Sequence, residues 1–194
     1  MKKVIYIVVI LLSVFLLTGC FDSAKDSRMG KISNKSSITD RGVKNYKVNV
    51  LVTGVNVKEE YTVTNKNNKL FDIVLIEEEE SFSYQVDKTG KKEKNTSKRN
   101  DLKDYTNTDL FITMLKKVTN IKESKEKLDG VEYKKYDFEI SKDDLNEILK
   151  VYGGKTDEEG TGYVYIDKSG YVYIVNYGNS TTSISATYSD YNVK

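Results

Sequence analysis

Histidine and proline are absent, cysteine occurs once, and arginine stands only at positions 28, 41 and 99 of the 194 residues. Without histidine the chain lacks the commonest general base and the commonest metal ligand. A Ser-His or Cys-His catalytic unit is therefore impossible. A single cysteine allows neither an intrachain disulfide nor a thiolate zinc site. The absence of proline removes polyproline segments and cis-proline turns. Scarce arginine, with a net charge of only +2, leaves few groups for bidentate reading of phosphates and base edges, so no nucleic-acid partner is expected. Charged residues at 31% and a mean hydropathy of −0.53 exclude a polytopic membrane protein. Against these absences stand 15 Tyr and 6 Phe, enough aromatic area to offset chain entropy in a folded domain.

The N-terminus carries Lys2 and Lys3, then an apolar run from Val4 to Leu17 interrupted only by Ser13. That run is shorter than the roughly 20 residues a bilayer-spanning helix needs, and it suits the apolar region of a signal peptide. Leu17-Thr18-Gly19-Cys20 follows. This tetrapeptide resembles the lipobox of bacterial lipoproteins, which implies cleavage after residue 19 and acylation of Cys20. A diacylglycerol thioether supplies two chains, and two chains anchor stably where one does not. An uncleaved anchor helix, or an ordinary signal peptide with an unrelated Cys, are the competing interpretations. Loss of residues 1–19 removes two Lys and no acid, leaving 29 basic and 29 acidic side chains. The whole mature chain would then exert no strong pull on an anionic membrane or wall polymer.

Residues 20–42 are rich in Ser, Lys, Asp and Gly and show no period. They are expected to form a flexible tether, about 70 Å long when fully extended. A single α+β domain is expected over 43–194. Alternation at Tyr46, Val48, Val50 and Val52, then at Tyr61 and Val63, predicts a strand and its hairpin partner. Leu70–Ile76 predicts a central strand, Phe82–Val86 another, and Asp87-Lys88-Thr89-Gly90 a turn. The polar stretch 91–104 predicts a short edge strand or a loop. Leu110, Phe111, Met114, Leu115 and Val118 have helical spacing, with Thr108 or Asp109 as cap. Asp129-Gly130 predicts a hairpin between 121–128 and 131–140, and a phase change predicts a β-bulge near Lys134-Lys135. Ser141 caps a second helix whose buried face is Leu145, Ile148, Leu149 and Tyr152, ended by Gly153-Gly154. Tyr163–Ile166 and Tyr171–Tyr177 read as a hairpin, and Ile184, Ala186 and Tyr188 as a last strand. The fold class is α+β: a curved antiparallel sheet of seven to nine strands with two short helices on one face, like an incomplete barrel.

Sites of chemistry are sparse. Glu77–Glu80 and Asp157-Glu158-Glu159 are acidic runs whose side chains diverge, so neither forms a calcium loop by itself. Two acids placed by the fold for glycoside hydrolysis remain a distant third reading. No phosphate cradle, metal set or cofactor motif is present, and no enzymatic activity is expected. Tyr163, Tyr165, Tyr171, Tyr173, Tyr177 and Tyr188 gather in the last strands. They suit ordinary cross-strand packing, or a platform that stacks sugars or lines an apolar groove.

The element order is similar to that of the LolA/LppX-like lipoproteins. Four strands precede the Leu110–Leu115 helix, a Tyr133–Ile140 strand enters the Ser141–Tyr152 helix, and a Tyr163–Asp167…Gly170–Val172 hairpin closes the chain. The resemblance implies an incomplete β-barrel closed by helices, several members of which carry lipids or acyl chains. One departure is that no N-terminal helix is legible before Val43, which leaves the lid in question. The expected function is a non-enzymatic binding domain, lipid-anchored on the extracytoplasmic face of the cell membrane. Its ligand would be a lipid or another apolar molecule on the concave face. Candidate lining residues are Val50, Val52, Leu75, Phe82, Phe111, Met114, Leu115, Ile148 and Leu149. The alternative is an interaction or sensory lipoprotein, with a filled core, that binds another envelope protein or glycan.

Overall fold

The structure is a computed structural model describing residues 27–36, 43–54, 57–66, 70–77, 80–87, 92–96, 102 and 104–191. Cys20 and the segment before it, the Lys88–Gly90 part of the Asp87–Gly90 turn, and Glu78-Glu79 lie outside these residues. So do the side chains of Leu75 and Phe82.

Ten antiparallel strands form one curved, open sheet. They are β1 (Tyr46–Gly54), β2 (Val57–Lys66), β3 (Leu70–Glu77), β4 (Glu80–Asp87), β5 (Lys92–Asn95), β6 (Thr119–Leu128), β7 (Val131–Ile140), β8 (Gly160–Ile166), β9 (Val172–Gly178) and β10 (Ser183–Ser189). The order across the sheet is β5-β4-β3-β2-β1-β10-β9-β8-β7-β6. Two meanders therefore run outward from a central seam where β1 pairs β10, with Val50 opposite Ala186. The polar segment after 91 supplies the tenth strand, the short edge β5.

This topology dictates where the helices sit. The chain leaves β5 at one edge and must enter β6 at the other. Nine interstrand steps of about 4.8 Å are roughly 43 Å across a flat sheet. The connection crosses one face of the sheet and carries a 3₁₀ turn at Asp104–Thr106 and helix α2, Leu110–Met114. Helix α3, Lys142–Leu149, and a 3₁₀ turn at Lys150–Tyr152 join β7 to β8. Ser141 caps α3 by accepting a hydrogen bond from the Asp144 backbone N–H at 3.2 Å. Gly153 ends this segment in the left-handed region at φ 68°. The Asp129-Gly130 hairpin has φ of 50° and 82° at its two turn residues, the conformation that keeps a two-residue loop compatible with strand twist.

Three expectations change. Residues 27–36 form a helix, α1, and are not part of a free tether. Met29 and Ser33 are buried, and the Ser33 hydroxyl donates to the Ile112 carbonyl of α2 at 2.8 Å. The N-terminal helix missing from the sequence pattern is thus present and packs on α2. Second, α2 is only five residues long, and Asp109 makes no side-chain cap bond; Thr108 is engaged elsewhere. Third, the bulge lies on β6, where the register shifts between Thr119 and Lys122 and Asn120 has φ 51°. Strand β7 alternates without a break: Tyr136, Phe138 and Ile140 point to the core. The apparent phase change arose because Tyr133, on the opposite face, is also a large aromatic.

Candidate functional site

The side chains expected to line a ligand face come together on the inner face. Val50 and Val52 of β1 are fully buried, as are Phe111, Met114 and Leu115 around α2 and Ile148 and Leu149 of α3, all at 2% exposure or less. All seven belong to one continuous apolar cluster. In backbone register, Leu75 pairs with Tyr61 of β2 and with Phe82 of β4. Burial of aliphatic and aromatic groups at about 25 cal/mol per Å² makes this cluster the main source of stability.

What joins the helical layer to the sheet is a set of tyrosine hydroxyls. Tyr177 of β9 donates to the Phe111 carbonyl at 2.6 Å. Tyr188 of β10 donates to the Thr108 carbonyl at 2.6 Å, and Tyr46 of β1 shares a 2.8 Å bond with the Thr108 hydroxyl. Three adjacent strands therefore hold the segment entering α2. On β2, the Tyr61 hydroxyl lies 2.7 Å from that of Tyr152 after α3, and the Tyr61 ring stacks on Tyr105 at 4.4 Å. A short helical segment leaves carbonyls without intrahelical partners, and a buried carbonyl needs one; the phenols supply it. Burial drives the pKa values of Tyr61, Tyr177 and Tyr188 well above the ordinary phenol range. Burial likewise raises Tyr152, although its bond to Tyr61 works the other way. These phenols are neutral donors and packing groups, not bases.

Tyr133, Tyr163, Tyr165 and Tyr173 lie on the outer face. Tyr133 stacks on Tyr173 at 4.8 Å and meets Tyr165 edge-on, while Tyr163 meets Tyr165 edge-on at 5.4 Å. The Tyr165 hydroxyl donates to Glu126 at 2.8 Å. The Lys135 ammonium lies over the Tyr163 and Tyr165 rings and 3.2 Å from Asp137. Among the described residues no group of three or more acidic, Cys or His side chains is placed to hold a metal ion.

An inner face roofed by helices on an open antiparallel sheet is the arrangement against which known structures can be compared. The chain matches the lipoprotein LppX of Mycobacterium tuberculosis at a TM-score of 0.58, with 18% identity over 87% of this chain and 97% of that one. The chain has an LppX-like fold. It matches LprF of Mycobacterium bovis similarly, at a TM-score of 0.55 and 14% identity over 88% of this chain and 95% of that one. MucB matches at 0.50 with 6% identity, over 86% of this chain but 59% of MucB. No protein-family model matches the sequence, and no curated protein matches it. The TM-scores establish a shared architecture, and identities this low leave the side-chain chemistry to be argued from this chain.

Sequence reasoning located the LppX-like inner face through its period-2 valines. It missed the hydroxyl clasps, because nothing local distinguishes a phenol that reaches a helix carbonyl from one that faces water. It also missed the part of α1, whose polar sequence has no apolar stripe beyond Met29 and Ile32.

Proposed function

We propose that the chain is an extracytoplasmic, lipid-anchored binding protein of the cell envelope, without catalytic chemistry, whose ligand is a lipid or another apolar molecule. The anchor is Cys20. The ligand lies between the inner sheet face and the helical layer, against Val50, Val52, Leu75, Phe82, Phe111, Met114, Leu115, Ile148 and Leu149. The observation that supports this reading is the way the roof is attached. The sheet is self-sufficient through its ladder of strand pairs, whereas α2 is a five-residue helix secured by side-chain packing and a few tyrosine hydroxyls. Such a layer can move as a unit, exposing an apolar face while the sheet stays intact. The LppX-like fold of the sheet is in keeping with it.

A second reading is favoured by a specific fact: the described candidates are packed at 2% exposure or less. On that reading the core stays filled, and the protein binds an envelope partner through its surface.

Native mass spectrometry of the full chain, purified from host membranes, separates the two. The carrier reading expects an added mass, beyond the anchor, that partitions into organic solvent. The same mass should be retained by a Cys20→Ala variant collected from the soluble fraction, which has no anchor to confuse it. A bare mass in both forms overturns the carrier reading. Cys20→Ala is also expected to move the protein from the membrane to the soluble fraction; continued membrane association would overturn the anchor assignment.

A further inference from the structure

The outer face holds a step. At one end of β7, β8 and β9, the rings of Tyr133, Tyr165 and Tyr173 stand tall and packed. At the other end the outward positions are short: Thr161 on β8 and Asn176 on β9. The β6 bulge at Asn120 turns that residue toward Glu139 of β7, and the two side chains are hydrogen-bonded. Between the tall and short ends lies a hollow of about 340 Å³. Tyr163 is its aromatic wall, and Thr161, Asn176, Asp137, Glu139 and Lys122 surround it, with the Phe138 and Gly162 positions at its base. Its volume falls at the small end of the range of ligand clefts, about 300–1,000 Å³.

We propose that this hollow is a saccharide subsite that takes an uncharged pyranose ring of a glycan. A pyranose has an apolar C–H face and a rim of hydroxyls. The Tyr163 ring matches the first, as aromatic side chains match apolar bodies with polar edges. Carboxylate, amide and hydroxyl groups at three strands match the second, each able to accept from or donate to a sugar hydroxyl. The charge balance selects against other occupants. Asp137 is already neutralised by Lys135 at 3.2 Å, and Glu139 is engaged by Asn120. With Lys122 and Lys135 balancing Asp137 and Glu139, the hollow carries no net positive charge to draw in an anion such as a uronic acid. An acyl chain would leave these polar groups desolvated and unpaired. The parts are also held in place before any ligand arrives. Asn176 donates to Ser183 at 3.0 Å, and Tyr163 is braced by Tyr165 and by the Lys135 ammonium over its ring. Preorganisation of this kind reduces the entropy lost on binding.

The site lies on the face of the sheet opposite the apolar ligand proposed above and stands independently of it. The test is isothermal titration of the full chain in detergent with chitotetraose and cellotetraose, and with an oligogalacturonate of equal length. Binding of at least one neutral oligosaccharide, at least about tenfold tighter than the uronate, is expected. Tyr163→Ala should weaken it by about tenfold or more, whereas Tyr163→Phe, which keeps the ring, should remain within about twofold. Thr161→Arg, at an exposed strand position, fills the hollow without disturbing the core and should abolish binding. Its retained fold is checked by thermal melting, and its apolar ligand by native mass spectrometry. No binding of either neutral sugar, tighter binding of the uronate, or undiminished binding by folded Thr161→Arg would each overturn the proposal.

Discussion

On the inner face of the sheet, Tyr177 and Tyr188 are sealed and each hydroxyl ends on a carbonyl of the α2 segment. On the outer face of the same sheet, Tyr133, Tyr163, Tyr165 and Tyr173 lie ring against ring, with Lys135, Glu126 and Asp137 around them. The residue is the same and the sheet is the same; the difference is which end of the side chain finds its partner inside the protein. Inside, the hydroxyl is the structural element and fixes a second layer. Outside, the ring is, and Tyr165 gives its hydroxyl to a carboxylate at the surface. A phenol suits both tasks because its apolar body and polar tip can be satisfied separately.

The sharpest way to break this comparison is truncation. Tyr177→Ala removes a fully buried ring and is expected to cost about 3–5 kcal/mol. Tyr173→Ala loses one cross-strand contact and should cost about 0.2–1 kcal/mol. Equal losses in denaturant titration would mean that the two faces are not different in kind. Next comes removal of the hydroxyl alone. Tyr177→Phe and Tyr188→Phe each strand a buried carbonyl and should cost about 1–3 kcal/mol. Tyr165→Phe, whose partner Glu126 is exposed, should cost under about 1 kcal/mol.

Alkali sharpens the contrast in a single sample. A phenol whose folded pKa lies above its unfolded value of about 10 contributes stability that is complete below pH 10 and lost as the pH rises above it. Tyr61, Tyr152, Tyr177, Tyr188 and Tyr191 are all raised, chiefly by burial. Phenolate absorbance from this inner set should therefore appear in a late, cooperative step that coincides with loss of the far-ultraviolet strand signal. Because the chain has no His, no comparable side-chain His titration is expected between pH 5 and 8. One smooth phenolate curve with the fold intact would contradict the sealed inner set.

The strands were legible because half-buried strands write their burial as alternation. Tyr46, Val48, Val50 and Val52 did so without ambiguity, and so did the capping of α3 by Ser141. The distribution of tyrosines between faces was not legible, because it depends on register. Strand β9 carries an extra residue opposite β8, so that Ile166 pairs with Val172 while Tyr165 pairs with Ile174. That shift puts Val172 in the core and Tyr173 against Tyr133. In β7, aromatics on both faces imitated a phase change that the backbone does not make. Helix α1 was hidden for a different reason. Gly30, Ser33 and Asn34 are weak helix formers, and the segment is recognised only by what it packs on, a carbonyl of α2 about eighty residues away. The hollow beside Tyr163 assembles residues of four strands and had no linear signature at all.

Helix α1 also sets how far the body of the protein can stand from its point of attachment. With Cys20 as the proposed lipid-bearing residue, only residues 21–26 separate the acyl chains from the first packed turn at Ser27. Six residues reach roughly 20 Å at most, in place of the 70 Å that a leash ending at residue 42 would give. With that anchor the folded body would be confined to a thin shell next to the bilayer, close enough for its edges to graze the headgroups and too short-tethered to patrol the depth of a cell wall.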